Sequence, residues 1–149
     1  MLETGPVLDI FVVEDNDDEF EATERALRQN DGPGRCIKRC CDGHDAWEYL
    51  TGNVHYAATH NAALPALVLL VLNMPGLDGR RLLARMKDNE DLSALPVVVM
   101  TTSTAPEDIL ACYRAGTNTY VKKPVSWSEF SHAVERLHEY WFEIALLPK

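Results

Sequence analysis

The chain has 149 residues, and 46% of them are apolar, which is enough for a single domain with its own core. Lys and Arg total 14 against 23 Asp and Glu, a formal net charge of −9, and so acidic a surface predicts neither a nucleic-acid nor a membrane partner. There is no apolar stretch of the roughly 18 residues that a spanning helix needs. The N-terminus has no basic region before an apolar core, and the chain has no Cys-x-x-Cys pair. These features predict a cytoplasmic protein.

Strand and helix patterns alternate along the chain. Five short apolar runs predict strands, in chain order Val7–Val13, Arg35–Cys41, Ala66–Leu72, Pro96–Thr101 and Asn118–Lys122. Helix-forming segments follow the first four at residues 19–30, 42–50, 80–92 and 106–116, and a last helix, capped by Ser126, continues past Tyr140. The third run is apolar throughout, which is typical of a strand that is covered on both faces.

The ends of the helices carry recognisable signals. Asp17 or Asp18 suits the N-cap of the first helix, because a short side-chain oxygen there accepts from free backbone N–H groups. Pro106 suits the first turn of the fourth helix, and Gly116 suits its end. Residues Gly52–Leu64 are polar with scattered alanines, and we expect them to form a loop that is longer than most.

Five consecutive strand–helix units predict an α/β fold, a doubly wound five-stranded parallel sheet with helices on both faces. No internal repeat or second domain is visible. We therefore expect one domain over residues 1–149, with its core at about 7–140 and a C-terminal helical extension at 141–149. In sheets of this kind the reactive groups gather at the C-terminal ends of the strands.

Polar side chains follow four of the predicted strands. Glu14 and Asp15 come directly after the first strand, where two adjacent carboxylates are costly unless a positive charge is near. They predict either a solvated loop that continues into helix capping or a Mg²⁺ site, since Mg²⁺ prefers a few carboxylates, a carbonyl and water. Asn73 follows the third strand, Thr101 ends the fourth and Lys123 follows the fifth. Acids, a hydroxyl and an ammonium should therefore share one edge of the sheet.

Taken together, these motifs resemble the receiver domains of two-component response regulators, which have a flavodoxin-like (βα)5 fold. The resemblance covers about residues 7–140. The segments that carry it are Phe11–Asn16, Cys41–Leu50, Leu72–Gly79, Pro96–Thr101, Ala115–Gly116 and Tyr120–Pro124. The long loop before the third strand, the Thr101–Ser103 segment and the tail at 141–148 are similar to the small standalone regulators paired with cyanobacterial phytochromes, in which no output domain follows the receiver.

The resemblance implies a role for each polar residue at this edge. Glu14, Asp15 and the backbone carbonyl of Asn73 would hold Mg²⁺. Thr101 would bond one phosphoryl oxygen, and Lys123 would neutralise another. The edge would then stabilise charge during phosphoryl transfer, in which catalysis is mostly positioning and electrostatics.

Two further residues take their expected roles from the same resemblance. Tyr120 would be the aromatic side chain that changes rotamer together with Thr101. The bond between Lys123 and Pro124 would be a cis peptide, a form that only about 5–6% of X-Pro bonds adopt in folded proteins.

One position departs from the family pattern. The residue two before Asn73, which in this family is the aspartate that accepts the phosphoryl group, is Val71. Valine has no lone pair with which to attack phosphorus, so we expect no phosphorylation at this position. We also expect weaker Mg²⁺ binding, because one of the direct protein ligands is missing. Repulsion among the carboxylates near Glu14 and Asp15 should fall as well.

The C-terminal segment predicts an interface. Apolar residues recur on one face of the last helix, and packing on the sheet accounts for those from Phe130 to Leu137 but not for those beyond. Exposed apolar patches usually mark an interface, so we expect a two-fold symmetric homodimer. The expected interface residues are Phe130, Trp141, Phe142, Ile144, Leu146 and Leu147.

Three functions compete on this basis. The first is a standalone receiver, blocked at its acceptor, whose partner would be a sensor histidine kinase of the phytochrome type. The second is a phosphorylation-independent dimeric adaptor or pseudo-receiver. The third is a small flavodoxin-like enzyme, which is disfavoured because a flavin phosphate would meet the carboxylates of residues 14–18. We therefore expect a signalling protein that is not an enzyme.

Overall fold

The computed structural model describes residues 9–31, 36–60, 64–74 and 76–148, so the predicted strand residues Val7, Leu8 and Arg35, together with Pro75, lie outside it. Five parallel strands form one sheet in the order β2-β1-β3-β4-β5. The strands are β1 Ile10–Val13, β2 Ile37–Cys40, β3 Leu67–Val71, β4 Val97–Thr101 and β5 Thr119–Lys122. The helices are α1 Asp17–Asp31, α2 Gly43–His60, α3 Gly79–Asp88, α4 Pro106–Ala115 and α5 Trp127–Glu139, and a π-helical turn follows at Tyr140–Ile144.

The core lies on both faces of the sheet, because successive strand residues point to opposite sides. Phe11 and Val13 of β1 pack in a cluster with residues of α2, α3 and α4. Ile10 and Val12 pack in a second cluster with residues of α1 and α5, among them Leu27. Helices therefore cover both faces, which confirms the predicted doubly wound α/β fold.

Helix α2 is longer than the sequence predicted. It continues to His60, so the expected loop is wrong over residues 52–60. Glycine at position 52 costs about 1 kcal/mol in a helix relative to alanine, but Val54 beyond it packs against the core and offsets that cost. At 18 residues α2 is the longest described helix, and no helix of the described residues is long and apolar enough to cross a membrane.

The N-cap of α1 is Asn16 and not, as predicted, Asp17 or Asp18. The Asn16 side chain accepts a hydrogen bond from the Glu19 backbone N–H at 2.9 Å. Asp17 and Asp18 lie in the first turn, where negative charge is favoured by the helix dipole. The other predicted ends are confirmed, with Pro106 at the start of α4, Gly116 in the left-handed conformation at its end and Ser126 as the N-cap of α5.

The C-terminal segment corrects part of the expected interface. Phe130 is buried, and Trp141 is only 9% exposed, because both side chains pack in the cluster between the sheet and the helices α1 and α5. Burying aromatic side chains of this size contributes about 2–3 kcal/mol each. Phe130 and Trp141 therefore belong to the core of their own chain, and their predicted place in a dimer interface is wrong.

The rest of the tail is divided between core and surface. Phe142 and Leu147 are half-buried and pack against the same cluster. Ile144 is 65% exposed and Leu146 is 99% exposed. An apolar surface remains at the end of the chain, but it is smaller than the sequence predicted.

Candidate functional site

A cavity of about 210 Å³ lies at the C-terminal ends of β3 and β4. It is next to the point between β1 and β3 where the strand order reverses, and this is where open α/β sheets bind ligands. Its lining residues are Asp15, Asn16, Glu19, Val71, Leu72, Asn73, Met100, Thr101, Thr102 and Lys123. Five residues predicted for this edge thus lie around one cavity, whereas Glu14 and Tyr120 do not line it.

Close backbone approaches hold the loop after β3 in place. The backbone N–H of Gly79, at the start of α3, donates to the carbonyl of Leu72 at 2.8 Å. A Cβ on Gly79 would overlap the carbonyl oxygen of Val71, and a Cβ on Gly43 would overlap that of Leu77. The starts of α2 and α3 therefore press on this loop, and only glycine fits at the two contacts.

Val71 is the last residue of β3 and is 7% exposed. It pairs in register with Met100 of β4, and its side chain packs in the cluster that contains Leu72. Val71 also lines the cavity together with Thr101 and Lys123. An apolar side chain therefore occupies the position where the resemblance implies a phosphoacceptor carboxylate.

Lys123 lies between two carboxylates. Its Nζ donates to Glu14 Oε1 at 3.2 Å and to Glu19 Oε2 at 2.8 Å. Glu14 is buried and also accepts from the Asn16 backbone N–H at 3.3 Å. Burial raises the pKa of the Glu14 carboxyl, and the charge of Lys123 opposes part of that rise. The acid expected to hold a metal is therefore engaged with the lysine.

Two charged residues near this site were missed by the sequence interpretation. Glu19 lines the cavity and pairs with Lys123; its place in the first turn of α1, directly after the acidic segment that follows β1, was the available signal. Arg39 of β2 donates from Nε to the Glu14 carbonyl at 3.0 Å and pairs with Asp17 at 2.7 Å. Arg39 lies outside every recognised motif, so no local pattern pointed to it.

The expected switch residues meet at the loop after β4. Thr101 is buried, and its Oγ1 accepts from the Ser103 backbone N–H at 3.3 Å. The half-buried Tyr120 donates from its hydroxyl to the Ser103 carbonyl at 2.9 Å. Ser103 therefore bonds to both residues, so a change in the conformation of this loop would reach both.

A second set of bonds ties the same loop to α3 and α4. The Ser103 hydroxyl donates to Asp108 Oδ2 at 2.6 Å, and Arg80 donates to Asp108 Oδ1 at 2.9 Å. The hydrogen bonds from Ser103 and Arg80 lower the pKa of the Asp108 carboxyl. Asp108 thus links the loop beside the cavity to the helix that precedes β4.

The peptide bond between Lys123 and Pro124 is trans, so the predicted cis bond is wrong. The trans form is favoured intrinsically by about 0.5–1 kcal/mol. In this geometry the Lys123 backbone N–H still donates to the Thr101 carbonyl at 2.7 Å, and its ammonium reaches both glutamates. The trans bond therefore already places Lys123 at the cavity.

The donor set for a metal is incomplete. Among the residues that the structure describes, no three His, Cys, Asp or Glu side chains are grouped so that they could hold a metal ion. Asp15 and Asn73 are exposed and line the cavity, and their oxygens are of the type that Mg²⁺ binds together with water. Glu14 and Glu19 are both paired with Lys123, whereas none of the bonds described above joins Asp15 to that lysine. The Asp15 carboxylate is therefore the one offered to a metal.

The fold and the polar edge define the class of this protein. The chain belongs to the response regulator receiver domain family, which matches residues 10–135. It is 37% identical to the probable methanogenesis regulatory protein FilR2 of Methanothrix harundinacea, over 94% of this chain and 91% of that protein. It is 33% identical to the response regulator Rcp1 of Synechocystis sp., over 98% of this chain and 97% of that protein.

Solved structures give the same result. The phosphorylated cyanobacterial phytochrome response regulator RcpA has a TM-score of 0.86 and 36% identity, covering 96% of this chain and 99% of that one. The Mn²⁺-bound form of Rcp1 has a TM-score of 0.84 and 32% identity, covering 95% and 99%. The predicted family and the predicted similarity to phytochrome response regulators are confirmed.

Proposed function

We propose that this chain is a signalling receiver that acts with a sensor histidine kinase of the phytochrome type and is not phosphorylated at the usual position. Similarity to the cyanobacterial phytochrome response regulator RcpA over nearly the whole chain supports the partner class. The observation that carries the proposal is Val71, whose side chain lies at the end of β3 in the cavity that Thr101 and Lys123 also line. The protein would therefore bind its partners in one chemical state.

The chemistry of the cavity supports this proposal. Phosphoryl transfer to a protein needs an oxygen nucleophile in line with the donor phosphate. The aliphatic side chain of Val71 offers no such nucleophile. The acids near the cavity are either paired with Lys123 or exposed to solvent. Glu14 is buried against Lys123, Glu19 is paired with the same lysine, and Asp15 is exposed. Thr101 and Lys123 could stabilise a phosphoryl group that the chain does not itself acquire.

Mg²⁺ would bind weakly at this site. Asp15 and Asn73 are the residues that would hold it, and the Mn²⁺-bound form of the relative Rcp1 supports a divalent cation at this edge. When bound, the ion would supply positive charge that neutralises the carboxylates at this edge. Replacement of the acceptor carboxylate by Val71 removes one direct ligand, and the pairing of Glu14 with Lys123 makes a second ligand costly to recruit.

The pair Thr101 and Tyr120 would respond to partner binding. In the proposed receiver the switch has no phosphoryl input, since Val71 carries none. The Ser103 backbone, which bonds to both side chains, would couple them when a partner contacts the loop after β4. Such coupling requires two arrangements of the loop whose populations the partner shifts.

A dimeric adaptor is the second candidate, and the exposed end of the tail favours it. Tyr140 is half exposed, and Ile144 and Leu146 are strongly exposed, although large apolar side chains are usually covered. A second copy of the chain is the proposed occupant, in a two-fold arrangement where the same residues meet across the axis. The adaptor would act through this surface with or without a kinase.

The test of the proposed function is phosphorylation by a small phosphodonor with Mg²⁺, followed by intact mass measurement. We expect Val71→Asp to gain one phosphoryl group and the natural chain to gain none. Val71→Asn is the matched control, because it has the size and polarity of aspartate without the nucleophile. Modification of the natural chain or of the Asn variant would identify a different acceptor. No modification of the Asp variant would contradict the proposal that this cavity is a receiver site lacking only its acceptor.

A further inference from the structure

The pairing of Lys123 with Glu19 connects two distant parts of the chain. Lys123 follows β5 and is only 9% exposed, whereas Glu19 lies in the first turn of α1 with its side chain 29% exposed. Their 2.8 Å contact is shorter than the 3.2 Å contact between Lys123 and the buried Glu14. The lysine therefore has its better-formed hydrogen bond with the residue that no motif predicted.

The backbone of Glu19 is fixed where this contact needs it. Its N–H donates to the Asn16 side chain at 2.9 Å, and its carbonyl accepts from the Thr23 hydroxyl at 2.8 Å. Two acid–base pairs of α1, Glu21–Arg25 and Glu24–Arg28, form along the helix itself and are more exposed. Glu19 points across to another element, as does Asp17 in its pair with Arg39 of β2. Partial burial makes such a pair stronger than an exposed one.

We propose that Glu19 is the built-in counter-charge of Lys123, supplying the negative charge that an acceptor carboxylate at position 71 would otherwise supply and tying α1 to the connection between β5 and α5. This inference rests on the proposed function only in taking Val71 to stand at the acceptor position. Three observations lead to it. A nearly buried ammonium needs its three donors satisfied. Glu14 accepts only one of them, at 3.2 Å, and the Val71 side chain in the same cavity cannot accept.

The tie has a consequence for the cavity. Glu19 and Lys123 both line it, so their contact closes one side with an ion pair. An anion that entered would have to displace the Glu19 carboxylate from Lys123. The contact therefore holds the cavity in a state that does not depend on metal or phosphate.

The experiment measures the protection of single lysines. The folded chain and its variants are acetylated at low reagent concentration without metal or phosphodonor, and the rate at each lysine is read by peptide mass spectrometry. Lys122 is the exposed neighbour used as reference. Lys87 bonds to the carbonyls of Ser93 and Leu95, so it monitors general opening of the fold. Glu21→Gln is the matched control on the same helix.

We expect Glu19→Gln to raise the rate at Lys123 relative to Lys122 by about fivefold, at the upper end for a partly exposed pair. Glu21→Gln should leave the rate at Lys123 unchanged. Adding Val71→Asp to Glu19→Gln should restore the protection of Lys123, and adding Val71→Asn should not. An unchanged Lys123 rate in Glu19→Gln overturns the inference. If Lys123 loses protection in Glu19→Gln and Val71→Asp does not restore it, the inference is also overturned. This includes the case in which the acetylation rate at Lys87 rises as well.

The outcome is independent of the phosphorylation test. If Val71→Asp is never phosphorylated but still restores the protection of Lys123, the proposed function fails while the counter-charge inference stands. If Val71→Asp is phosphorylated but Glu19→Gln leaves the acetylation rate at Lys123 unchanged, the counter-charge inference fails while the proposed function stands.

Discussion

At the scale of single residues, Val71 has two environments. Its backbone completes the pairing of β3 with β4, and its methyl groups extend the apolar core to the wall of the cavity. The spacing from the Leu72–Gly79 segment was enough to predict that Val71 ends β3 at the cavity, because the loop follows the strand directly. The partners of Lys123 were predicted only in part, since the contact with Glu19 joins residues that are far apart in the chain.

The first prediction concerns the stability of Val71→Asp in a chelator. The new carboxylate would be nearly buried beside Glu14 and Asp15, and Lys123 already has two acid partners. We expect a loss of about 1–3 kcal/mol in the free energy of unfolding, measured by urea denaturation. Mg²⁺ should recover part of it in this variant more than in Val71→Asn. An aspartate variant that is equally or more stable in chelator would contradict the account.

The second prediction concerns pH. Hydrogen bonds from Ser103 and Arg80 lower the pKa of Asp108 in the folded state. The folded state then binds fewer protons than the unfolded state, so this contribution is present above the ordinary pKa of aspartate, about 3.9, and is lost as pH falls through the lowered pKa. We expect the melting temperature of Asp108→Asn to fall less steeply than that of the natural chain as the pH is lowered through that range.

Asp91→Asn is the control for this pH experiment, because it removes the same charge from an exposed turn. If Asp108→Asn and Asp91→Asn have the same acid profile as the natural chain, Ser103 and Arg80 do not stabilise the Asp108 carboxylate in solution.

At the scale of elements, local signals were sufficient where they act over a few residues. The caps at Ser126 and Gly116 and all five strands were predicted for that reason. The N-cap of α1 was placed one or two residues too late, at Asp17 or Asp18 and not at Asn16. Two larger features were not predicted at all. The extension of α2 past Gly52 depends on the packing of Val54, and the π-helical turn accompanies the burial of Trp141. Both depend on contacts with the core, which a local pattern does not report.

The third prediction uses two glycines of different surroundings. A Cβ on Gly79 would overlap the Val71 carbonyl, so Gly79→Ala should displace the loop beside the cavity and cost about 1–3 kcal/mol. Gly52 in α2 faces open space, so Gly52→Ala should stabilise the chain by about 0.5–1 kcal/mol. Urea denaturation of both variants measures the difference. Equal effects of the two substitutions would mean that the close contact at α3 is relaxed in solution.

At the scale of the whole molecule, the alternation of strands and helices predicted the topology, whereas the surface was predicted less well. The sequence pattern placed Phe130 and Trp141 on an interface, but the way α5 packs on the sheet and on α1 determines which face is covered. Ile144, the last residue of the π-helical turn, and Leu146, which follows the extended Ala145, stay exposed.

The fourth prediction is that the exposed end of the tail holds two copies together. Combined Ile144→Ser and Leu146→Ser should convert a dimer to a monomer without loss of the fold, since neither side chain is in the core. Val125→Ser is the control, being an exposed apolar residue outside the tail. Light scattering gives the mass in solution. A natural chain that is monomeric, or a tail variant that remains dimeric, would remove the adaptor proposal.

We propose that this edge of the sheet is a receiver site that lacks its acceptor carboxylate. The most direct test records backbone amide chemical shifts while Mg²⁺ and a beryllium fluoride complex, which mimics a carboxylate-bound phosphoryl group, are added. We predict that Val71→Asp shows large shifts at Thr101, Ser103 and Tyr120, and that the natural chain and Val71→Asn show none. The same shifts in the natural chain, or no shifts in Val71→Asp, would contradict the claim.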